Sequence, residues 1–275
     1  MFKAILKGSV QLCLSNFDNL IKAAGTWTVI LILGGFAFGA LGSIGGPIAN
    51  DTMMGRYVGA SLIQTLPMLL LQVVAASSIA VAWHRFALLG EAPATFHVRF
   101  GKSEFRYALY YLLFLLCVFA MSAVFLLFAS LVVMLTGVGN LESTALTGLG
   151  IAMILSCLFM VPIWARVSLM LPAAAVDEPM GPVRAYHYGQ GMGWAMTFAS
   201  ICLLIPFVLL DLAILWILAT IGAGLPQLFV VIQFLLLKGL EQIIITVLLL
   251  SVITVAYALA RRRHEATAEP IDPAA

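Results

Sequence analysis

Of the chain's 275 residues, 63% are hydrophobic and 9% charged; the formal net charge is +2 and the mean hydropathy +1.10. A water-soluble domain of this length needs far more charge to cover its surface, whereas runs of about 20 apolar residues match the thickness of a bilayer core. Composition therefore excludes a soluble globular protein, and the missing two-residue alternation excludes an outer-membrane barrel.

In chain order, the first element is Phe2 to Ala23. It places Phe2, Ile5, Leu6, Cys13, Phe17, Leu20 and Ile21 on one face, and Lys3, Lys7, Gln11, Ser15, Asp18 and Lys22 on the other. The polar stripe steps by three or four residues, which predicts an amphipathic helix lying in the membrane interface. Gly8 to Ser15 is too polar and short for the core of a signal peptide, so no cleavage is expected. Six apolar runs follow: Thr26–Ile44, Tyr57–Trp83, Tyr107–Thr136, Thr147–Ala165 with a continuation to Val176, Trp194–Ile221 and Leu240–Ala260. Backbone groups in hydrocarbon must hydrogen-bond to each other, so runs this long span as helices.

Two shorter segments interrupt the runs. Pro93–Arg106 carries Phe96, Phe100 and Phe105 among Arg99, Lys102 and Arg106. Asp177–Gly191 carries Met180, Val183, Tyr186 and Tyr188 beside Arg184 and His187. Both are predicted as further interfacial helices, with Glu91 and Asp177, each two residues before a proline, as start signals. The predicted fold class is all-α: one polytopic bundle over residues 1–263, with six transmembrane helices plus interfacial amphipathic helices, and a disordered cytoplasmic tail over 264–275.

Orientation follows from lysine and arginine placement. Lys3, Lys7 and Lys22 precede the first span; Arg85, Arg99, Lys102 and Arg106 follow the second; Arg166 and Arg184 follow the fourth; Arg261, Arg262 and Arg263 follow the sixth. Twelve of the 14 basic residues thus lie on one side, leaving Arg56 and Lys238 on the other. Both termini are expected in the cytoplasm. Arg85, Arg99, Lys102, Arg106, Arg166 and Arg184 become candidate contacts for anionic lipid headgroups, not for nucleic acid.

The second span ends Trp83-His-Arg85-Phe-Ala-Leu88 and the fourth Trp164-Ala-Arg166-Val-Ser-Leu169, both reading W-x-R-x-[AS]-L; the sixth ends more loosely at Tyr257-Ala-Leu-Ala-Arg261. This suggests a threefold parallel repeat of interfacial helix, span, span. The string Trp83-His-Arg-Phe-Ala-Leu-Leu-Gly-Glu-Ala-Pro93, with Arg166-Val-Ser-Leu-Met-Leu-Pro172-Ala-Ala-Ala-Val-Asp-Glu-Pro179, resembles the uncharacterised bacterial inner-membrane proteins grouped with the YciC-like proteins, and is similar to the membrane domain of glycerophosphodiester phosphodiesterases. The resemblance implies a six-helix domain of a bacterial cytoplasmic (inner) membrane. It implies no activity, since the phosphodiesterases' chemistry resides in a separate soluble barrel for which this chain has no room.

The chain carries no H-E-x-x-H, no phosphate-binding loop and no G-x-S-x-G elbow. His84, His97, His187 and His264 are expected to be solvated or interfacial, and Cys13, Cys117, Cys157 and Cys202 to be small apolar packing residues. No catalytic residue, cofactor or metal site is predicted. Gly35 to Gly39 and Gly42 to Gly46 are G-x-x-x-G steps that allow close helix contact.

Asp211 is the clearest ionisable residue inside a span. It lies 17 residues after Trp194, about 25 Å along a helix, which predicts a position toward the outer leaflet. Pro226–Leu237 is expected to lie at the outer interface and bring Lys238 and Glu241 to Asp211. Gln64 and Gln72 share a face of the second span and could hydrogen-bond between helices. The expected function is a membrane accessory or scaffold without catalytic activity, contacting lipids through its cytoplasmic segments. The alternative is a small-solute or ion transporter using Asp211, Lys238 and Glu241. Membrane lipids are the expected partner; a membrane-protein partner or a second copy of the chain stays open.

Overall fold

The computed structural model of the protein describes residues 1–44, 53–135, 158–221 and 227–268. Its helices are α1 (Phe2–Ser15), α2 (Phe17–Ile44), α3 (Met53–Leu89), α4 (Lys102–Leu135), α5 (158–167), α6 (Met170–Ala175), α7 (Pro182–Tyr188), α8 (Gly193–Ile221) and α9 (Gln227–Ala268). No strand occurs among the described residues. Six stretches are long and apolar enough to cross a membrane: Phe17–Ala37, Leu66–Leu89, Lys102–Val124, Leu158–Ala175, Gly193–Ile214 and Leu237–Ala266. The protein is therefore an all-α, multi-pass membrane protein, with its spans where the apolar runs place them.

Burial is uneven along the helices. It concentrates around Ala75 to His84 on α3, Val167 to Val176 through α6, Met192 to Leu203 on α8 and Ile243 to Ala260 on α9. Farther along, the helices expose Phe36, Leu69, Phe119, Phe128, Leu209 and Trp216. Apolar side chains exposed in such continuity form a lipid-facing surface. The packed zone also holds Met1 and Arg263, since Arg263 Nη2 donates to Met1 Sδ at 2.8 Å. We refer to it as the basic end.

Helix α1 buries Ile5, Ser9 and Cys13, spaced one turn apart, and packs on α8 and α9. The approach to α9 is close: a Cβ at Gly8 would lie 3.0 Å from Val255 Cγ1. The apolar face predicted for the interface is thus spent on protein. The helix stops at Asn16, whose φ of −127° is not helical and whose Nδ2 donates to Leu12 O at 2.9 Å. Residues 17–23, expected on the same helix, begin α2 instead.

The other two interfacial predictions are corrected. Residues 90–101 are not helical; α4 starts at Lys102, where Glu104 Oε2 accepts the Gly101 N–H at 2.8 Å. This is an acid in the first turn reaching back to the residue before the helix. Asp177 does not start a helix but stops one. Its φ is +65°, and Glu178 N–H donates to Ala173 O at 2.9 Å, closing a Schellman turn on α6. Helix α7 begins only at Pro182, after Gly181. The second unit therefore lacks an entering helix, and the helix–span–span repeat is not reproduced.

Helix α9 is continuous over 42 residues, about 63 Å. The expected break between an interfacial Pro226–Leu237 segment and the sixth span is absent, because nothing from Gln227 to Leu237 interrupts a helix. The same helix runs through Ala268, into the stretch expected as a disordered tail; residues 269–275 lie outside the described ones. On α2 the close approach falls at Gly34, where a Cβ would meet Leu71 Cδ2 at 2.8 Å, whereas Gly35 faces open space. The surroundings of Gly39 and Gly42, and Gly46 itself, lie outside the description.

Candidate functional site

At the basic end, the turn Asp177-Glu178 gathers three helices. Arg85, in the last turns of α3, donates Nε to Glu91 Oε2 at 2.7 Å and Nη2 to Glu91 Oε1 at 2.8 Å. Its Nη1 donates to Asp177 Oδ2 at 2.9 Å and to Ala175 O at 3.2 Å. Arg106 of α4 pairs with the other oxygen of Asp177. Glu178 accepts the Tyr257 hydroxyl at 3.1 Å and pairs with Arg261 at 3.2 Å, both from α9. A planar guanidinium matches a carboxylate in a two-point fork, so Arg85 fixes the chain after α3 to the end of α6. Its hydrogen bonds hold the Glu91 carboxyl below the ordinary carboxylate range. The acids that sequence assigned to helix starts are thus partners of the arginine that ends the W-x-R motif, six residues away for Glu91 and 92 for Asp177.

The six candidate headgroup cations divide accordingly. Arg85 and Arg106 are engaged within the protein. Arg166, the motif counterpart of Arg85, lies over the Tyr186 ring at 5.1 Å and has a buried Nε. Arg99, Lys102 and Arg184 are exposed; the Arg99 side chain is 74% accessible and only 3.8 Å from Glu104. They stand among exposed apolar side chains of the same end: Phe96 at 80%, Val98, Phe100, Phe105 and Val183.

Sequence reasoning missed a polar ladder between α3 and α9. Trp83 Nε1 donates to Ser251 Oγ at 2.9 Å, and His84 Nδ1 meets Thr254 Oγ1 at 2.8 Å. Thr254 gives its own hydroxyl proton to Leu250 O at 2.6 Å, so His84 Nδ1 is the donor. His84 is fully buried beside Tyr107, against the expectation of a solvated ring. A Ser and a Thr three residues apart on an apolar helix were the available signal. His97 is half-buried, and burial pulls its imidazole below the ordinary value; His187 is exposed, and His264 stacks on Tyr188 at 4.3 Å. Among the described residues no group of three His, Cys, Asp or Glu could hold a metal.

Within the spans, the structure brings Asp211, Lys238 and Glu241 together. Lys238 Nζ donates to Asp211 across the α8–α9 contact and to Glu241 Oε2 at 2.9 Å on its own helix. Glu241 is buried, and its Oε1 has no hydrogen-bond partner among the described residues. The cluster does not sit at a helix end: Lys238 is eleven residues inside α9, about 16 Å, and α8 continues ten residues past Asp211. Gln72 is exposed and away from this cluster's hydrogen bonds, and the Gln64 side chain lies outside the described residues. No family model, curated protein or solved structure matches this chain.

Proposed function

We propose that the protein is a non-catalytic accessory or scaffold of a bacterial cytoplasmic (inner) membrane, with both termini in the cytoplasm, that engages anionic lipid headgroups through its basic end. The observation that carries this reading is the division of labour among its cations. Arg85 and Arg106 rigidify the end by binding carboxylates, while Arg99, Lys102 and Arg184 stay exposed beside Phe96, Phe100 and Phe105. Aromatic rings at headgroup depth with exposed cations beside them suit an anionic inner leaflet. The clustering of basic residues at the end that also holds both termini supports the cytoplasmic orientation, and the resemblance to YciC-like proteins supports the bacterial membrane.

The test is lipid-dependent stability. The purified protein in neutral detergent is titrated with phosphatidylglycerol or phosphatidylcholine. Phosphatidylglycerol should raise the melting temperature more, and the combined variant Arg99→Gln, Lys102→Gln, Arg184→Gln should lose that difference while keeping the wild-type melting temperature in phosphatidylcholine. Equal responses to the two lipids in the wild type, or an undiminished difference in the variant, would sink the reading.

A further inference from the structure

Asp211, Lys238 and Glu241 are the charged residues of α8 and of α9 before Arg261; α2 beyond Lys22 and α3 between Arg56 and Arg85 carry none. All three meet in one cluster. Lys238 lies eleven residues inside α9 and Asp211 ten residues before the end of α8, so the cluster joins the two helices away from their ends. Glu241, one turn after Lys238, is buried at 4% exposure.

Two carboxylates on one ammonium leave the ionised cluster with one negative charge in excess. A net charge buried in protein is costly, and an unpartnered oxygen is costlier charged than neutral. Glu241 is buried, and its Oε1 has no hydrogen-bond partner among the described residues. Among the described side chains, the elements packed on α9 offer no second cation beside the cluster; the side chain of Arg56 on α3 lies outside the described ones. Helix α2 presents Thr28 and Ile32 beside Gly239; α8 presents Asp211; α6 has no ionisable residue; the Lys3 and Lys7 of α1 and the His84 and Arg85 of α3 belong to the basic end.

We propose that the cluster is a binding site for one proton, held between Glu241 and Asp211 while Lys238 neutralises the remaining carboxylate. Binding moves one proton from water onto a carboxylate oxygen and brings the cluster from one negative charge to none; release reverses both changes. This goes beyond the scaffold reading and does not depend on it. It gives the protein a titratable link between α8 and α9.

The test is infrared spectroscopy of the protein in lipid nanodiscs at neutral pH, reading the carbonyl stretch of protonated carboxyl groups and its shift in heavy water. A protonated-carboxyl band should be present and should be lost or displaced in Glu241→Gln and in Asp211→Asn. It should persist in Glu104→Gln, which removes the other buried acid among the described residues. Should the cluster variants fail to fold, wild-type protein with carboxyl-labelled glutamate and aspartate assigns the band instead. The proposal is overturned if the band is absent, if it survives both cluster substitutions, if labelling assigns it to other carboxyls, or if sodium or potassium at constant pH abolishes it, which would make the ligand a metal cation.

Discussion

Replacing Gly193 with alanine tests the packing of the basic end. A Cβ there would sit 2.4 Å from Pro162 O and 2.9 Å from Arg166 Nε, where ordinary contact begins at 3.4 Å. The obstructing atom is backbone of α5 and cannot rotate away, so the first turn of α8 must retreat by about 1 Å, by that difference. Retreat loosens the buried Met192 and Met196. Overpacking of this kind costs roughly 1–3 kcal/mol. Alanine's better helix propensity returns at most about 1 kcal/mol, leaving a net loss of about 0–2 kcal/mol when that return is full, centred on about 1 kcal/mol. Gly35 is the matched control, since nothing lies within 4 Å of a Cβ there; its alanine variant should be neutral or more stable by up to about 1 kcal/mol. Unfolding by sodium dodecyl sulfate in mixed micelles, followed by tryptophan fluorescence, measures both. Indistinguishable midpoints for Gly193→Ala and wild type, or equal losses at the two sites, would refute the reasoning.

Four further outcomes are expected. Asp177→Gly and Asp177→Ala both lose the carboxylate held by Arg85 and Arg106, but only glycine is unstrained at φ +65°; alanine should be the less stable variant by about 1 kcal/mol in the same unfolding assay. Trp83→Phe removes a buried donor to Ser251 and should cost about 1–2 kcal/mol; a double-mutant cycle with Ser251→Ala should show coupling. Because Arg85 holds the Glu91 carboxyl below its ordinary 4.5, its contribution to stability is complete above that value and is lost as pH falls through the lower folded value; Glu91→Gln should flatten this acid limb of the stability profile. Reporter fusions after Arg263 and within residues 46–56 should report opposite sides of the membrane, and the same side for both would exclude the proposed topology.

The sequence by itself determined the class of the fold. Span length and apolarity are local properties fixed by bilayer thickness, so the six runs could be read from the sequence alone. What could not be read were contacts whose partners lie far apart in the chain. Glu91 and Asp177 obey a local rule for helix starts, yet Arg85 claims both, from 92 residues away in the case of Asp177, because a guanidinium's two-point bond outweighs a weak capping preference. The apolar face of Phe2 to Ser15 was legible, but periodicity could show neither the break at Asn16 nor that this face meets protein; α8 and α9 decided it. His84 reads as an interfacial ring until Thr254 is placed beside it. The meeting of Asp211, Lys238 and Glu241 was legible from their spacing, whereas the burial of Glu241 and the missing partner of its Oε1 needed the tertiary structure.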